Sequence, residues 1–436
     1  MKSCAIGLSL CFAAIGCALT PQAAYGEEAG ERIVFAGKFV DVRGGVMREN
    51  VGIRIKDGVI ESVEDAVMSE IAGDYIDLSG YTVLPGLIDV HTHLCDNSFM
   101  GPAFDHWTYP AATFGIVGAV NARKTLRAGF TTVRDVSAPF YADVALRDAV
   151  EAGWIEGPSI LVSGAMITMT GGHGSWGNWI GPQHTVTTEA HVNADGADEV
   201  RKAVRVHVRN NVDLIKVVAT GGFGTANSIP GAATYSVDEL RAAVEEARKH
   251  GLKVAAHAHG AEGVLNAVNA GVDSVEHASM IDEDGIKAMR RAGTYLVMDL
   301  LAARFDLIEK NEDYSDKGLD GDNAAVFEAY LDLFRQAYDA GVPMAFGTDA
   351  GIYPHGRNAE QFALMVQAGM SNADALRSAT IWAADLLGMS DRIGEISVGR
   401  KADLIAVSGN PLADAALLED VEFVMKDGRV IVTLDR

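Results

Sequence analysis

Cysteine is scarce in this chain, and its placement matters more than its number. Three of the four cysteines (Cys4, Cys11 and Cys17) sit at the extreme N-terminus. Only Cys95 lies in the body of the sequence, so a chain without its leader has no partner for an intrachain disulfide, even in an oxidising compartment. Basic residues are also short: 36 lysines and arginines face 59 carboxylates, a formal net charge of −23. So acidic a surface argues against partners that are nucleic acids or anionic membranes, and it favours solubility. It names no substrate. Internal repeats and low-complexity tracts are missing. The apolar stretch Cys4 to Leu19 is too short and too rich in small residues for a good bilayer span, and no membrane span is expected.

What is present fits a large α/β domain with a smaller companion: 436 residues, 48% hydrophobic, with 47 glycines. The first residues read as a leader. Lys2 gives a short basic start, Cys4 to Leu19 an apolar middle, and Ala24-Tyr25-Gly26 a small-x-small cleavage site. Residues 1–26 are accordingly read as a signal peptide, and the protein as exported, periplasmic or secreted. Ala14-Ile15-Gly16-Cys17 partly resembles a lipobox, but alanine is a poor first residue there, so lipoprotein anchoring is the lesser alternative.

From residue 27 to 85 the pattern is short alternating strands, with Asp57-Gly58 as a strong hairpin signal. Residues 394–436 read alike, so the two ends are expected to pair into one small β-sandwich. Between them, over 86–393, strand and helix alternate. Expected strands are Val83–Val90, Thr131–Val136, Ser159–Ser163, Leu214–Ala219, Lys253–Ala256, Ser274–Glu276, Tyr295–Met298 and Met344–Gly347. Ser236–His250, which opens like a capping box, and Ala261–Ala270 read as helices. Eight such units predict a (β/α)8 TIM barrel, whose chemistry sits at the C-terminal strand ends. Long excursions at Leu94–Val117, Met166–Val200 and Leu300–Asn323 would shape access to that face.

The strand ends carry the chemistry. His91 and His93 are two residues apart, and in a strand such residues point to the same side, where two imidazoles can meet one metal. Lys216 lies inside an apolar strand; alone, such a lysine usually snorkels or forms a salt bridge. His257 ends the fifth strand, with His259 two residues on as a supporting or loop residue. Glu276-His277 ends the sixth. Asp349 follows the eighth and by itself could cap the next helix. Converging on one barrel mouth, these groups would be costly to bury without metal.

The segments PGLIDVHTHL, IKVVATGG, AAHAHG, SVEHAS and FGTDAG, with GEISVGRKADLIAV near the end, resemble the amidohydrolase superfamily over essentially the whole mature chain. Within it the chain looks closest to the branch of Xaa-Pro dipeptidases, amidohydrolase-type carboxypeptidases and ochratoxin-hydrolysing enzymes. A bacterial ochratoxin-degrading member is the narrower reading. The resemblance implies two divalent metal ions, usually zinc. His91, His93 and Asp349 would hold one, His257 and His277 the other, and Lys216 would bridge both as a CO2-derived carbamate (carboxylated lysine). It further implies metal-activated water attacking an amide carbonyl, with Asp349 as the catalytic base and acid. A homo-oligomer is also expected from it.

Substrate contacts are a softer layer. His173, among the glycines of Thr170–Gly174, is expected to meet the substrate carbonyl or carboxylate; otherwise it packs a loop. Tyr235 matches a position resembling the family's carboxylate-binding tyrosine, and otherwise is an apolar lid contact. His355 and Arg357 could reach a carboxylate, and His106 lies in the first long loop. Arg134-Asp135 reads as a structural ion pair. The expected substrates are small amides or peptides joining an acyl group to an amino acid with a free carboxylate: dipeptides, N-acyl amino acids and ochratoxin-like amides. Rivals are a cyclic-amide hydrolase resembling imidazolonepropionase, against which Lys216 weighs, and a non-catalytic assembly protein on the same fold.

Overall fold

Two hairpins at opposite ends of the chain are built by the same two-residue device. In the computed structural model, which describes residues 30–71, 73, 75–96, 109–179, 181, 183, 192–319 and 321–434, Asp57-Gly58 joins strand Val46–Lys56 to Val59–Asp65 with φ of 49° and 81°. Asp427-Gly428 joins Val421–Lys426 to Arg429–Val432 with φ of 48° and 74°. Positive φ at both positions twists the hairpin to match its strands, and Asp-Gly tolerates it. Residues 1–26, read as a signal peptide, and the segment with His106 lie outside the described residues.

Both hairpins belong to one seven-stranded sheet. Strand Ile76–Pro85 runs parallel to Arg32–Asp41 on one side and antiparallel to Leu404–Val407 on the other. The strands expected to pack as a sandwich thus share a continuous hydrogen-bonded sheet. Val34, Ile53, Ile55, Leu78, Leu404, Phe423 and Met425 form its buried core.

The expected first barrel strand, Val83–Val90, is broken at Gly86. Ile76–Pro85 stays in the terminal sheet and Leu87–Thr92 begins the barrel. A Cβ at Gly86 would lie 2.2 Å from Thr131 Oγ1, so only glycine lets the chain pass this close to the next strand. Leu87–Thr92, Phe130–Asp135 and Ser159–Val162 run parallel in one sheet. Leu214–Val218, Lys253–Gly260, Ser274–Met280 and Tyr295–Val297 run parallel in another, which two short strands extend. Backbone bonds join the sheets: the Asp213 N–H donates to Val162 O at 2.8 Å.

The eighth expected strand is a ladder of bridges rather than a full strand. Leu296 N–H donates to Pro343 O at 2.8 Å, and Val90 N–H to Phe346 O at 2.9 Å. Packing supports it: the Phe346 ring stacks between Phe130 and Phe362, with centroids 5.6 and 4.4 Å away. Each such aromatic pair adds about 0.5–1.5 kcal/mol beyond area burial. The result is a (β/α)8 barrel with a small domain from both termini. Helix Val237–Lys249 opens on the capping box that its sequence predicts, with Ser236 Oγ accepting from Glu239 N–H and the Glu239 carboxylate accepting from Ser236 N–H. Helix Ala261–Ala270 forms over the expected residues. Among the described residues, no helix is long and apolar enough to cross a membrane. Cys95 is buried as a free thiol.

Candidate active site

The strand ends meet. His91 and His93 leave the first barrel strand, His257 and His259 stand in the fifth, His277 in the sixth, and Asp349 follows the eighth. Ring centroids of His91 and His277 are 4.9 Å apart, and those of His257 and His277 4.6 Å. Ligand atoms of His91, His277 and Asp349 lie within 4.8 Å of one another, and so do those of His257, His259 and His277. His277 therefore borders two potential ion positions. His259, expected as a supporting or loop residue, lies in the strand itself and within reach of one of them.

Each expected histidine ligand is tied back through one ring nitrogen, which aims the other. His91 Nδ1 is 2.9 Å from Glu276 Oε2, and His277 Nδ1 is 2.9 Å from Asp299 Oδ1. His93 Nδ1 faces the Ser137 carbonyl at 3.1 Å, and His257 Nε2 the Gly221 carbonyl at 3.0 Å. An oxygen acceptor on one nitrogen puts the hydrogen there and a lone pair on the other, the usual arrangement behind a metal-bound imidazole. Two polar atoms are left over. Among the described residues His91 Nε2 and Lys216 Nζ are buried without a hydrogen-bond partner, with the Asp349 carboxylate 3.4 Å from His91 Nε2. An orphaned amine and an orphaned imidazole nitrogen, beside a carboxylate, are a donor set that fits divalent metal.

The electrostatics agree. Burial, opposed by Glu276 and assisted by the nearby Arg134 cation, brings the Lys216 ammonium down to about 8. Burial, with Lys216 nearby, also lowers His91. Burial and the neighbouring imidazoles hold His257 and His259 far below the ordinary histidine range. His93 goes the other way: burial opposes its charge, but Asp349, 2.9 Å from Nε2, outweighs burial and holds it at about 9. Two of the candidate ligands also carry backbone strain, with φ of 70° at His277 and 57° at Asp349.

Behind His91 lies a buried relay. Glu276 receives Arg134 Nη2 at 2.8 Å on its other oxygen, and Arg134 Nε donates to the Val90 carbonyl at 2.5 Å. The arginine expected to pair with Asp135 thus reaches across the barrel to Glu276, while Asp135 accepts the Leu94 N–H at 2.6 Å. Behind His277, Asp299 also accepts the Tyr330 hydroxyl at 3.1 Å. Asp299 went unnoticed in the sequence, although its place at the end of the seventh strand was a usable signal. Tyr330 lies in a distant helix and has none.

The expected substrate contacts divide. His173 joins the cluster, its ring 4.5 Å from that of His257, and burial with nearby cationic groups pushes it down to about 3. The other three are engaged elsewhere. Tyr235 is core, its hydroxyl donating to the Ala194 carbonyl at 2.6 Å. His355 is buried behind the first strand, with Nδ1 3.1 Å from Thr125 Oγ1 and Nε2 3.2 Å from the His93 carbonyl. Arg357 spends its guanidinium on Glu309 and Glu360, with Nε 2.6 Å from Glu360 Oε1 and Nη2 2.9 Å from Glu309 Oε1. Its charge is already compensated by these two carboxylates.

The model of the amidohydrolase family matches residues 82–434. The chain belongs to the amidohydrolase family. This amidohydrolase is 31% identical to the ochratoxinase of Aspergillus niger over 93% of its own length and 87% of the relative's. A crystallised Xaa-Pro dipeptidase with methionine bound in its active site superposes with a TM-score of 0.86 at 35% identity, covering 92% of this chain and 100% of that one. A prolidase complexed with N-methylphosphonate-L-proline gives 0.82 at 31% identity over the same shares. The family and these relatives make this chain a hydrolytic enzyme.

Proposed function

We propose that this amidohydrolase is an exported, two-metal enzyme that releases a C-terminal amino acid bearing a free carboxylate from an acyl group. One observation carries the metal part: four imidazoles are each tied back through one nitrogen, and the buried Lys216 amine, without a hydrogen-bond partner among the described residues, is close enough to lower the charge affinity of His91, His93 and His257. His91, His93 and Asp349 would hold one ion and His257 and His277 the other, with Lys216 as a carbamate donating oxygen to both. The nitrogen-rich donor set suits zinc. Bound there, the ions would supply Lewis acidity and lower the pKa of water.

The chain's own groups do the rest. Asp349 stays ionised: burial opposes its charge, but His91 and His93 outweigh it and hold it well below the ordinary carboxylate range. As a carboxylate it can take a proton from the attacking water and return it to the leaving nitrogen. His173 would meet the substrate carbonyl from the opposite loop. The substrate class is supported by a similar protein whose name, Xaa-Pro dipeptidase, joins an amino-acid amide to this fold.

The test uses zinc-loaded protein and mass-spectrometric detection of product. Matched N-acyl amino acids, dipeptides and ochratoxin A are offered with a free or an amidated C-terminal carboxylate. Cleavage of the free acids alone is the expected result. Cleavage of neither form, with metal bound, would overturn the amino-acid-amide reading and turn attention to cyclic amides.

A further inference from the structure

Thr225, in the loop after the fourth barrel strand, is used by none of the chemistry above, yet three loops of the barrel mouth meet on it. Its side chain is 2% exposed. Its Oγ1 accepts the Gly174 N–H at 3.0 Å and lies 2.8 Å from His173 Nδ1, which joins it to the loop after the third strand. Its carbonyl accepts the Lys317 ammonium at 2.9 Å, which joins it to the loop after the seventh. The same ammonium donates to the Ser228 carbonyl at 3.0 Å, and Ser228 Oγ accepts the Gly222 N–H at 2.9 Å.

The His173 ring is fixed before Thr225 acts on it. One face stacks on His257. Another contact is Gly222, where an added Cβ would lie 2.6 Å from the ring atoms. Packing thus sets the plane of the imidazole. What packing leaves open is which nitrogen carries the hydrogen.

The hydroxyl decides that. It has one hydrogen to give and two lone pairs to offer. Gly174 uses one lone pair. Were the histidine hydrogen on Nδ1, it would use the second, and the threonine hydrogen would have no acceptor among the described residues. A buried hydroxyl hydrogen left unpaired is a penalised state. With the hydroxyl donating to Nδ1, every group is paired and the histidine hydrogen stands on Nε2.

We propose that Thr225 is a positioning residue that holds His173 as the Nε2–H tautomer, and so makes it a hydrogen-bond donor to the substrate carbonyl oxygen. The tautomer rests on the hydrogen bonds alone; the donor's target rests on the function proposed above. A donor aimed at an oxygen that gains charge is worth roughly 10²–10³ in kcat, whereas the other tautomer would present a lone pair to it.

The experiment uses zinc-loaded chain labelled with ¹⁵N-histidine. The His173 resonances are assigned by their loss in His173→Gln. The expected spectrum has an unprotonated Nδ1 and a protonated Nε2. Thr225→Val, which keeps the shape and removes the hydroxyl, should mix the two tautomers and lower kcat about tenfold at unchanged zinc content. Thr225→Ser should restore both readouts. A wild-type Nδ1–H tautomer, or unchanged shifts in Thr225→Val, would overturn the proposal. Mixed tautomers with unchanged kcat would also overturn it, by removing the donor role. Should the wild-type enzyme cleave none of the amides, the function fails there, and the shifts still decide what Thr225 does.

Discussion

Glu276→Gln is the sharpest perturbation of the site's framework, because it changes one atom pair in a fully buried relay. Glu276 has no exposure and bridges Arg134 and His91. Removing one partner of a buried ion pair costs about 3–5 kcal/mol, since the other charge is left uncompensated. Unfolding entropy is about 2.1 cal/mol/K per residue, so for 436 residues that loss lowers Tm by roughly 3–5 °C. The pH dependence has a fixed sign. Burial pushes the Glu276 carboxyl up, but Arg134 and His91 outweigh it and hold it well below the ordinary range. Its contribution is therefore present above the unfolded pKa of about 4.3 and is lost as pH falls below that. The gap between wild type and variant should be full at pH 7 and shrink in acid. Glutamine also loosens the tautomer of His91, which should weaken zinc binding about 10–100-fold. Calorimetry of the metal-free chain across pH reads the first effect, and competition with a chromophoric chelator reads the second. A variant within 1 °C of wild type at pH 7, with zinc affinity within about twofold, would refute the relay.

Three further perturbations separate the roles around it. Lys216→Ala should lose at least one of the two ions by plasma mass spectrometry; a fully loaded and active variant would remove the bridge. Asp349→Asn should retain metal yet lose kcat by about 10²–10⁴, the usual share of general acid–base catalysis; near-normal turnover would take the proton from another group. The metal-free chain should lose stability as pH rises. His93, at about 9 in the fold, gains from Asp349 a contribution that is complete below the unfolded histidine value of about 6.5 and disappears through pH 9. A thermal-shift series should show that slope in wild type, and His93→Gln should flatten it.

That the candidate ligands would meet was legible because the barrel converts a one-dimensional rule into a three-dimensional place. Parallel strands deliver their C-terminal ends to one face, so a histidine at residue 91 and an aspartate at residue 349 can be assigned to the same mouth without a contact map. What supports them was not legible, because it runs between strands or uses the backbone. Arg134 pairs with Glu276 rather than with its neighbour Asp135, since adjacent strand residues point to opposite faces. The Ser137 and Gly221 carbonyls behind His93 and His257 have no sequence signature at all. The partner of Arg357 was hidden too, because proximity to Asp349 in sequence says nothing of Glu309, which the long loop after the seventh strand brings to it. The break at Gly86 was signalled by the Pro85-Gly86 pair, a turn signal that the expected strand Val83–Val90 ran through.

The site is held against local preference, and that sets the direction of coupling between fold and ligand. His277 and Asp349 both take left-handed backbone, a conformation costing of order 1–3 kcal/mol, although histidine and aspartate tolerate it better than branched residues. Lys216 and His91 add buried polar atoms without hydrogen-bond partners among the described residues. None of these stabilises an empty cluster; the aromatic stack around Phe346 and the closed strand ladder must carry them. A group that satisfies Lys216 and His91 together would recover that energy in the folded chain alone, because the unfolded chain scatters the ligands from residue 91 to residue 349. Metal should therefore raise stability by mass action, more steeply than a single-strand site could. The same geometry gives each candidate histidine its own partner: Glu276 for His91, Ser137 for His93, Gly221 for His257 and Asp299 for His277.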